Sequence, residues 1–234
     1  MLEIKNLFVG YGKVNIIQDL SMKVDSGEIV ALIGGNGTGK TTLVRAISKL
    51  NKISGGTVSF DGEDITDLSA DKIVEKGIIQ VPEGRKLFAQ MSVRENLEMG
   101  AFSKRARGKE KENLEYVYTV FPELKSMEKQ ACGNLSGGQQ QMVAIGRSIM
   151  AEPKLLILDE PSIGLSPITT QHMFGAIETI NKKGIGILIT EQNVHDVLKM
   201  ADRAYVMQQG RIALEGAADE ISESEELKKI YLGM

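Results

Sequence analysis

The sequence is short of the residues that build cross-links and metal centres. Its 234 residues hold one cysteine, Cys132, so neither an internal disulfide nor a cysteine-based metal cluster can form. His172 and His195 are its two histidines, which excludes a histidine-rich metal site. Long apolar runs are also missing. The longest, Ile29 to Ile33, Leu155 to Leu158 and Ile185 to Ile189, fall far below the roughly 20 residues of a membrane span. There is no basic excess either: 28 Lys and Arg stand against 31 Asp and Glu, a formal net charge of -3. That balance speaks against holding nucleic acid by its phosphates. The one dense basic run, Lys104 to Lys111, is interrupted by Ala106, Gly108 and Glu110 and reads as a solvated loop. Met1-Leu2-Glu3-Ile4-Lys5 lacks a charged leader followed by an apolar stretch, so no signal peptide is expected. What remains is a chain that is 42% hydrophobic and 25% charged, able to bury a sizeable core, with a reducing intracellular compartment as the expectation.

The chain is organised as alternating short strands and helices. Leu2, Ile4, Leu7 and Val9 mark a first strand with a slip, and Ser21 to Val24 a second. Ile29 to Ile33 runs without alternation, as a strand buried on both faces does. Thr41 to Ser48 reads as helix. Gly55-Gly56 and Asp61-Gly62 flank a strand over Thr57 to Phe60. Ser92-Val93-Arg94-Glu95 is a capping-box pattern. Leu114, Val117 and Phe121 recur at helical spacing, and Pro122 stops that segment. Ser136 opens a helix with Met142, Ile145 and Ile149 on one face. Leu155 to Leu158 (strand), Thr169 to Lys183 (helix), Ile185 to Ile189 (strand), Val194 to Ala201 (helix) and Ala204 to Met207 (strand) follow. Arg211 to Glu215 pairs back across Gln209-Gly210, and Ser222 to Leu232 is a short charged helix. This alternation predicts an α/β fold with a mainly parallel sheet core, and an antiparallel β part at the N-terminal end. Residues 1–234 read as one domain, with a helical subdomain over about 84–150 inserted between sheet strands.

Gly34-Gly35-Asn36-Gly37-Thr38-Gly39-Lys40-Thr41 fits G-x-x-x-x-G-K-[ST], between a buried strand and a helix. Glycines let the backbone curl so that successive N–H groups point into one concavity. The helix that follows adds its N-terminal dipole. Lys40 supplies a point charge for β- and γ-phosphates, and the hydroxyl of Thr41 is a hard oxygen ligand for Mg²⁺. A chain of this length would match the motif by accident on the order of once in a hundred. Nucleotide binding is the expectation.

Leu155-Leu156-Ile157-Leu158-Asp159-Glu160 is an apolar strand ending in two acids. Carboxylates at the end of a buried strand are costly unless a cation or a reaction uses them. Strand C-termini form the ligand crevice of a doubly wound sheet. Asp159 is then placed to hold Mg²⁺, and Glu160 to polarise a water attacking the γ-phosphate. The bland alternative is two solvated acids leading into Pro161.

Asn134-Leu135-Ser136-Gly137-Gly138-Gln139 lies upstream of the carboxylate strand. L-S-G-G-Q between a phosphate loop and an Asp-Glu pair resembles the ATP-binding cassette (ABC) ATPases, and the order of motifs matches that family over nearly the whole chain. The resemblance implies a P-loop NTPase cassette that binds and hydrolyses ATP with Mg²⁺. Ser136 would cap a helix whose bare N–H groups, with Gly137 and Gly138 allowing close approach and Gln139 following, form an anion site. In the family that site faces the γ-phosphate held by a second cassette, head to tail. Thr42 continues the phosphate loop. Tyr11, in Val9-Gly10-Tyr11-Gly12, resembles the aromatic residue that stacks on adenine.

Three positions depart from the usual cassette pattern. The Gln of the coupling loop falls on Glu83, in Val81-Pro82-Glu83-Gly84-Arg85, with Gln80 out of register three residues earlier. The usual Asp after the carboxylates falls on Ser166, and the switch His on Gln192; His195 is nearby but reads as a helix-surface histidine. Gln192 can donate an amide hydrogen bond to a γ-phosphate but cannot carry charge as His can. Glu83 is anionic where a neutral amide is usual, so it would handle Mg²⁺, water or a permease contact differently. V-P-E-G-R, E-P-S-x-G-L-x-P and E-Q-N together resemble the second ATPase subunit of branched-chain amino-acid importers. That likeness implies a peripheral protein on the cytoplasmic face of the membrane. Its partners would be a second ATPase subunit, two permeases docked near Glu83 to Phe102 and, indirectly, an extracytoplasmic solute-binding protein. Two alternatives stay open: an importer cassette for urea or another small polar solute, and a soluble cassette acting on nucleic acid or ribosomes. The acidic balance, the single cassette and the missing heptad inserts weigh against the second.

Overall fold

A computed structural model describes residues 1–12 and 14–232. The chain opens with two long strands, β1 (Leu2–Tyr11) and β2 (Val14–Val24), followed by the buried β3 (Ile29–Ile33), α1 (Lys40–Ile47), β4 (Ile53–Phe60) and β5 (Glu63–Asp64). After α2 (Ala70–Lys76) and β6 (Ile78–Val81) every element is helical up to β7. These are α3 (Val93–Glu98), a 3-10 turn over Met99–Phe102, α4 (Glu110–Val120), α5 (Pro122–Ser126), a second 3-10 turn over Cys132–Asn134 and α6 (Gly137–Ile149). Then come β7 (Leu155–Asp159), α7 (Pro167–Asn181), β8 (Gly186–Glu191), α8 (Val194–Leu198), β9 (Arg203–Gln208), β10 (Arg211–Ala217), α9 (Ala218–Glu223) and α10 (Glu225–Leu232).

Two sheets form. One is antiparallel, in the order β2-β1-β4-β5; the other runs β10-β9-β3-β8-β7-β6, parallel throughout except for the β9–β10 pair. Period-two alternation sends successive residues of a strand to opposite faces. In β3, Ile29, Ala31 and Ile33 therefore join a core with α6 and α7, while Val30 and Leu32 join a second core with α1 and the antiparallel sheet. Every residue of β3, β7 and β8 is buried, which is why those segments read as unbroken apolar runs.

The capping boxes form as their spacing predicts. Ser92 Oγ accepts from Glu95 N while Glu95 reaches back to Ser92 N, and Ser136 and Gln139 do the same at the start of α6. Several boundaries differ from the sequence reading. β2 begins at Val14 rather than Ser21, because register shifts against β1 break the apparent alternation of Ile17, Leu20 and Met22. Gly55 and Gly56 lie inside β4, not before it. There β1 bulges and the backbone carbonyl of Asn6 approaches where a side chain of Gly56 would stand. Pro122 ends α4 only by opening α5, where a first-turn proline costs no hydrogen bond. α7 starts at Pro167, capped by Ser166 Oγ, which accepts from Thr169 N. The C-terminal tail is two helices, not one, broken at Ser224.

The basic run is solvated as expected at Lys104 and 107–111, and it is tied down at three points. Ala106 is fully buried, Arg105 donates to the carbonyl of Glu152, and Lys109 pairs with the Glu152 carboxylate at 2.8 Å. Cys132 is buried in the core beside α6, and burial pushes its thiol pKa up, so it behaves as a small apolar residue. His195 is exposed, as expected of a surface histidine. Among the described residues no helix is long and apolar enough to cross a membrane.

Candidate functional site

The parallel strands end together, and the chemistry collects at their C-terminal edge. β8 lies between β3 and β7, with Ile33 opposite Glu191 and Thr190 opposite Asp159. The phosphate loop leaves β3, Asp159 ends β7 with Glu160 next, Gln192 follows β8, and Glu83 follows β6 two residues after its last pair, Val81 with Leu158. Four segments distant in sequence thus meet around one cleft of about 540 Å³. Its walls include Tyr11, Asn36, Gly37, Gly39, Lys40, Thr41, Thr42, Glu83, Glu160 and Gln192.

Gly34, Gly35 and Thr38 stand behind that wall and hold the loop in shape. Lys40 Nζ donates to the carbonyls of Gly34 at 2.7 Å and Gly35 at 3.2 Å, and Thr38 Oγ1 donates to Gly35 O at 2.9 Å. Gly39 takes φ +110°, a conformation other residues avoid, and from there α1 starts with Lys40 as its first residue. A side chain at Gly34 would meet the carbonyl of Met207 at 2.7 Å. Tyr11 is 56% exposed at the mouth, its hydroxyl accepting from Asn51 Nδ2 at 2.8 Å.

Lys40 and Glu160 form a buried ion pair at 3.1 Å, with side chains 3% and 9% exposed. Gln192 Nε2 donates to the other Glu160 oxygen at 2.6 Å. Glu160 holds φ +47°, a left-handed conformation rare for a non-glycine residue and typical of functional positions. Asp159 is buried beside it. Its Oδ1 accepts from Thr190 Oγ1 at 2.9 Å and Thr41 Oγ1 at 3.3 Å. Burial pushes the Asp159 carboxyl pKa up; the two hydroxyl donors oppose that, and the charges of Glu160 and Glu83 add to it. The donor set, one hydroxyl and one carboxylate beside a phosphate loop, suits a hard divalent cation that draws its other ligands from phosphate and water.

Thr190, Glu191 and Ser162 were not singled out from sequence. Thr190 is fully buried and also accepts from Glu160 N at 3.0 Å, so one hydroxyl orders both acids. Glu191 accepts from the backbone N–H of Ser162 at 3.0 Å and its hydroxyl at 2.7 Å, pinning the loop after Glu160; burial raises its carboxyl pKa. The polar pair Thr190-Glu191 at the end of the apolar Ile185–Ile189 run was the available signal, identical in kind to Asp159-Glu160.

Ser136, Gly137, Gly138 and Gln139 do not line this cleft. They begin α6 elsewhere, where the guanidinium of Arg85 lies 3.1 Å from the position a Gly137 side chain would take. Arg85 belongs to a run of three left-handed residues, Gly84, Arg85 and Lys86, with φ of 75°, 63° and 47°. Past this kink lies a second concavity of about 490 Å³, an apolar groove along the open edge of β6. Its rim carries Phe88, Met99 and Phe102. In the segment expected to dock permeases, Arg94 is bonded to Glu98 at 2.8 Å and Glu95 is spent on the Ser92 cap. Charge reversal at either would first disturb α3.

A phosphate loop opening a helix beside a carboxylate strand, in a parallel sheet backed by an antiparallel one, defines a P-loop nucleotide-binding protein. Residues 17–163 match the ABC transporter family. The chain is 40% identical to the high-affinity branched-chain amino acid transport ATP-binding protein BraG of Pseudomonas aeruginosa, over the full length of both. It is 33% identical to a probable branched-chain amino acid transport ATP-binding protein, LivF, of Archaeoglobus fulgidus, covering 100% of this chain and 99% of that protein. It is also 33% identical to the lipopolysaccharide export system ATP-binding protein LptB of Escherichia coli, over 99% of this chain and 97% of that one. Among solved structures, an ATP-binding cassette of an ABC transporter in its ADP conformation superimposes with a TM-score of 0.88 at 29% identity, covering 100% of this chain and 99% of the other. The chain belongs to the ABC transporter family and is one of its ATP-binding, ATP-hydrolysing cassettes. Such cassettes dimerise and work with membrane permease subunits.

Proposed function

We propose that this cassette powers an importer for branched-chain amino acids from the cytoplasmic face of the membrane. It pairs with a second, different cassette, docks on two permeases and serves an extracytoplasmic solute-binding protein. The observation that carries the catalytic part is the position of Glu160. It is held through one carboxylate oxygen by Lys40 and through the other by Gln192, at the cleft that the phosphate loop opens onto.

In this reading the N–H groups of residues 34 to 42 and the Lys40 ammonium bind the β- and γ-phosphates, and Tyr11 stacks on the adenine. Thr41 and Asp159 would hold Mg²⁺, with Glu83 facing the same position. When bound, the ion offsets charge on the phosphate oxygens. Glu160 accepts a proton from the attacking water at its carboxylate, and the Gln192 amide fixes that carboxylate's orientation. Gln192 carries no charge, so it positions rather than protonates. Ser136, Gly137, Gly138 and Gln139 serve the nucleotide of the partner cassette, which agrees with their absence from this cleft's wall. The groove along β6 takes the permease. The short kink Gly84–Lys86 joins it to Glu83 and so to the cleft.

For the solute, the support is identity along the whole chain to BraG together with Val81-Pro82-Glu83-Gly84-Arg85 and Glu191-Gln192-Asn193. The 33% identity to an exporter cassette is the specific observation favouring a second reading, lipopolysaccharide export. The test is the tagged transporter complex in proteoliposomes, with its solute-binding protein supplied. Leucine, isoleucine or valine should stimulate phosphate release. Stimulation by urea alone, or by lipopolysaccharide alone, would replace this reading.

A further inference from the structure

A proline disfavours helical backbone in the residue before it and pushes that residue toward extended conformations. Glu160 precedes Pro161, yet it holds φ +47°, in the left-handed region that a side chain makes costly. Local sequence therefore argues against the conformation that brings this carboxylate to Lys40 and Gln192. Contacts from elsewhere in the fold must hold it.

Those contacts come from the end of β8, and they grip the turn on both sides of Glu160. On the near side the Glu160 N–H donates to Thr190, to its carbonyl at 3.1 Å and its hydroxyl at 3.0 Å. On the far side Glu191 accepts from Ser162 twice, Oε1 from the backbone N–H at 3.0 Å and Oε2 from the hydroxyl at 2.7 Å. Glu191 is 2% exposed and does not line the nucleotide cleft. A buried carboxylate ordinarily needs a cation. The one buried cation among the described residues, Lys40, pairs with Glu160 instead, so Glu191 faces the turn without a buried counter-ion. The strand that carries it lies inside the sheet, with Ile33 of β3 opposite Glu191, so the anchor is rigid.

We infer that Glu191 is a positioning residue for ATP hydrolysis: its carboxylate, by holding Ser162, keeps Glu160 in the left-handed conformation from which it meets the attacking water. This rests on the reading of Glu160 as the base and adds the residue that sets its geometry. Two charge-assisted bonds to one residue fix both its place and its rotation, which a single bond does not. The turn Glu160-Pro161-Ser162 then neither relaxes to extended backbone nor carries the carboxylate away from the Gln192 amide. Glu191 itself meets no substrate, since the cleft wall includes Glu160 and Gln192 but not Glu191. Misplacing a reacting group by about 1 Å costs on the order of 10²-fold in rate, so a loosened turn shows as lost turnover rather than lost binding.

The test measures steady-state phosphate release against MgATP concentration with the full-length cassette. Glu191→Leu keeps the bulk and removes both acceptors. It should lower kcat by about 10²-fold and leave KM within about twofold, the pattern of an interaction that acts in the transition state. Glu191→Gln can still accept from the Ser162 N–H and donate to its hydroxyl, so it should keep most of the rate. Ser162→Ala, which spares the N–H bond, should fall between. In a Glu160→Gln background Glu191→Leu should cost nothing further, because two residues that act through one step are not additive. A raised KM at unchanged kcat overturns the inference, as does an equal fractional loss in the Glu160→Gln background. Glu191→Gln as damaging as Glu191→Leu overturns it too, since that result makes Glu191 a charge or a proton acceptor. Where Glu191→Leu does not fold, Ser162→Ala decides, and full kcat there overturns the positioning role. A normal rate in Glu160→Gln overturns the base reading together with the role built on it. Loss in Glu160→Gln with full activity in Glu191→Leu overturns the positioning role alone.

Discussion

The nucleotide cleft and the groove along β6 are two neighbouring concavities of similar size with opposite hydrogen-bond economies. In the cleft every buried charge already has a partner from this chain. Lys40 meets Glu160 and two loop carbonyls, Gln192 meets Glu160, and Thr190 and Thr41 meet Asp159. In the groove the walls are apolar, the rim aromatic and aliphatic side chains stand exposed, and the unpartnered polar atoms, those of the Ser48 and Gln80 side chains, are sealed from solvent. The difference separates two kinds of ligand. A small charged ligand must find its donors already aimed, because it brings little binding surface with which to order them. A protein helix brings apolar area of its own, so its receptor can leave apolar side chains exposed until it docks.

The cleft half of this comparison is tested hardest at Glu160. Glu160→Gln keeps the size of the side chain and removes its basicity. We expect steady-state phosphate release to fall by about 10²–10³-fold, the range for loss of a positioned base, with nucleotide still bound. Equal rates for the two proteins would remove Glu160 from the role and leave the clamp of Lys40 and Gln192 without a catalytic purpose.

The groove half is tested by its wall. Gly100, in the 3-10 turn after α3, packs so closely on α6 that a methyl group would land on the carbonyl of Arg147 and within 2.9 Å of Met150 Cβ. Backbone, not a flexible side chain, blocks it. Gly100→Ala should cost about 1–3 kcal/mol in thermal or denaturant unfolding, the usual cost of overpacking. It should also lower permease affinity by shifting Met99 and Phe102. A neutral variant would show that this wall yields, and that the groove is less fixed than the cleft.

These two regions were unequally legible in the sequence. The phosphate loop and the Asp159-Glu160 pair could be read directly, because their chemistry depends on residues a few positions apart and the chain itself sets that spacing. Thr190 could not, since its worth comes from β8 lying in register beside β7, 31 residues away. Glu191 and Ser162 stood in the quoted motifs E-Q-N and E-P-S-x-G-L-x-P, but their contact was illegible for the same reason. The capping boxes at Ser92 and Ser136 are local and were legible; the bulge that brings Gly56 against Asn6 is tertiary and was not. Gln80 shows the limit most clearly. By position it was only a residue out of register with Glu83. Its burial, its place on an edge strand and its lack of partners exist only once β6, α1 and the helical segment are assembled. Motifs recorded the nucleotide site residue by residue, whereas the groove was legible only as a stretch, Glu83 to Phe102, without its lining from α1 and β6.

A smaller effect distinguishes a paired charge from a comfortable one. Asp159 is hydrogen-bonded, yet burial and the neighbouring acids still hold its carboxyl pKa above the ordinary range. A raised carboxyl pKa means that folding favours the protonated form. The wild type therefore loses stability as pH rises from the ordinary carboxylate range through the folded value. Without nucleotide or Mg²⁺, Asp159→Asn should melt a few degrees higher than wild type at neutral pH, and the gain should vanish in acid. Mg²⁺ with nucleotide should reverse the order, stabilising the wild type more than the variant. If Asn lowers Tm at neutral pH, the hydrogen bonds from Thr190 and Thr41 outweigh the desolvation, and the cleft stores no charge for a cation to relieve.

The smallest effect lies away from both concavities and asks whether the helical segment behind the groove is equally well paired. Tyr118 of α4 is buried, and its hydroxyl donates to Glu128 at 3.3 Å; burial first, then the Glu128 charge, pushes its pKa up to about 12. An unfolded tyrosine titrates near 10. The folded state therefore holds this proton more tightly than the unfolded state does. The stability it contributes is complete below about pH 10 and is lost as pH climbs toward 12. Tyr118→Phe removes the titrating group and leaves the ring. Denaturant unfolding across pH 9–12 should show wild type falling more steeply than the variant over that window, with the two close together below it. Parallel curves would mean that the Glu128 contact is loose in solution, and that the firm pairing seen in the cleft does not extend to the helices that carry the groove.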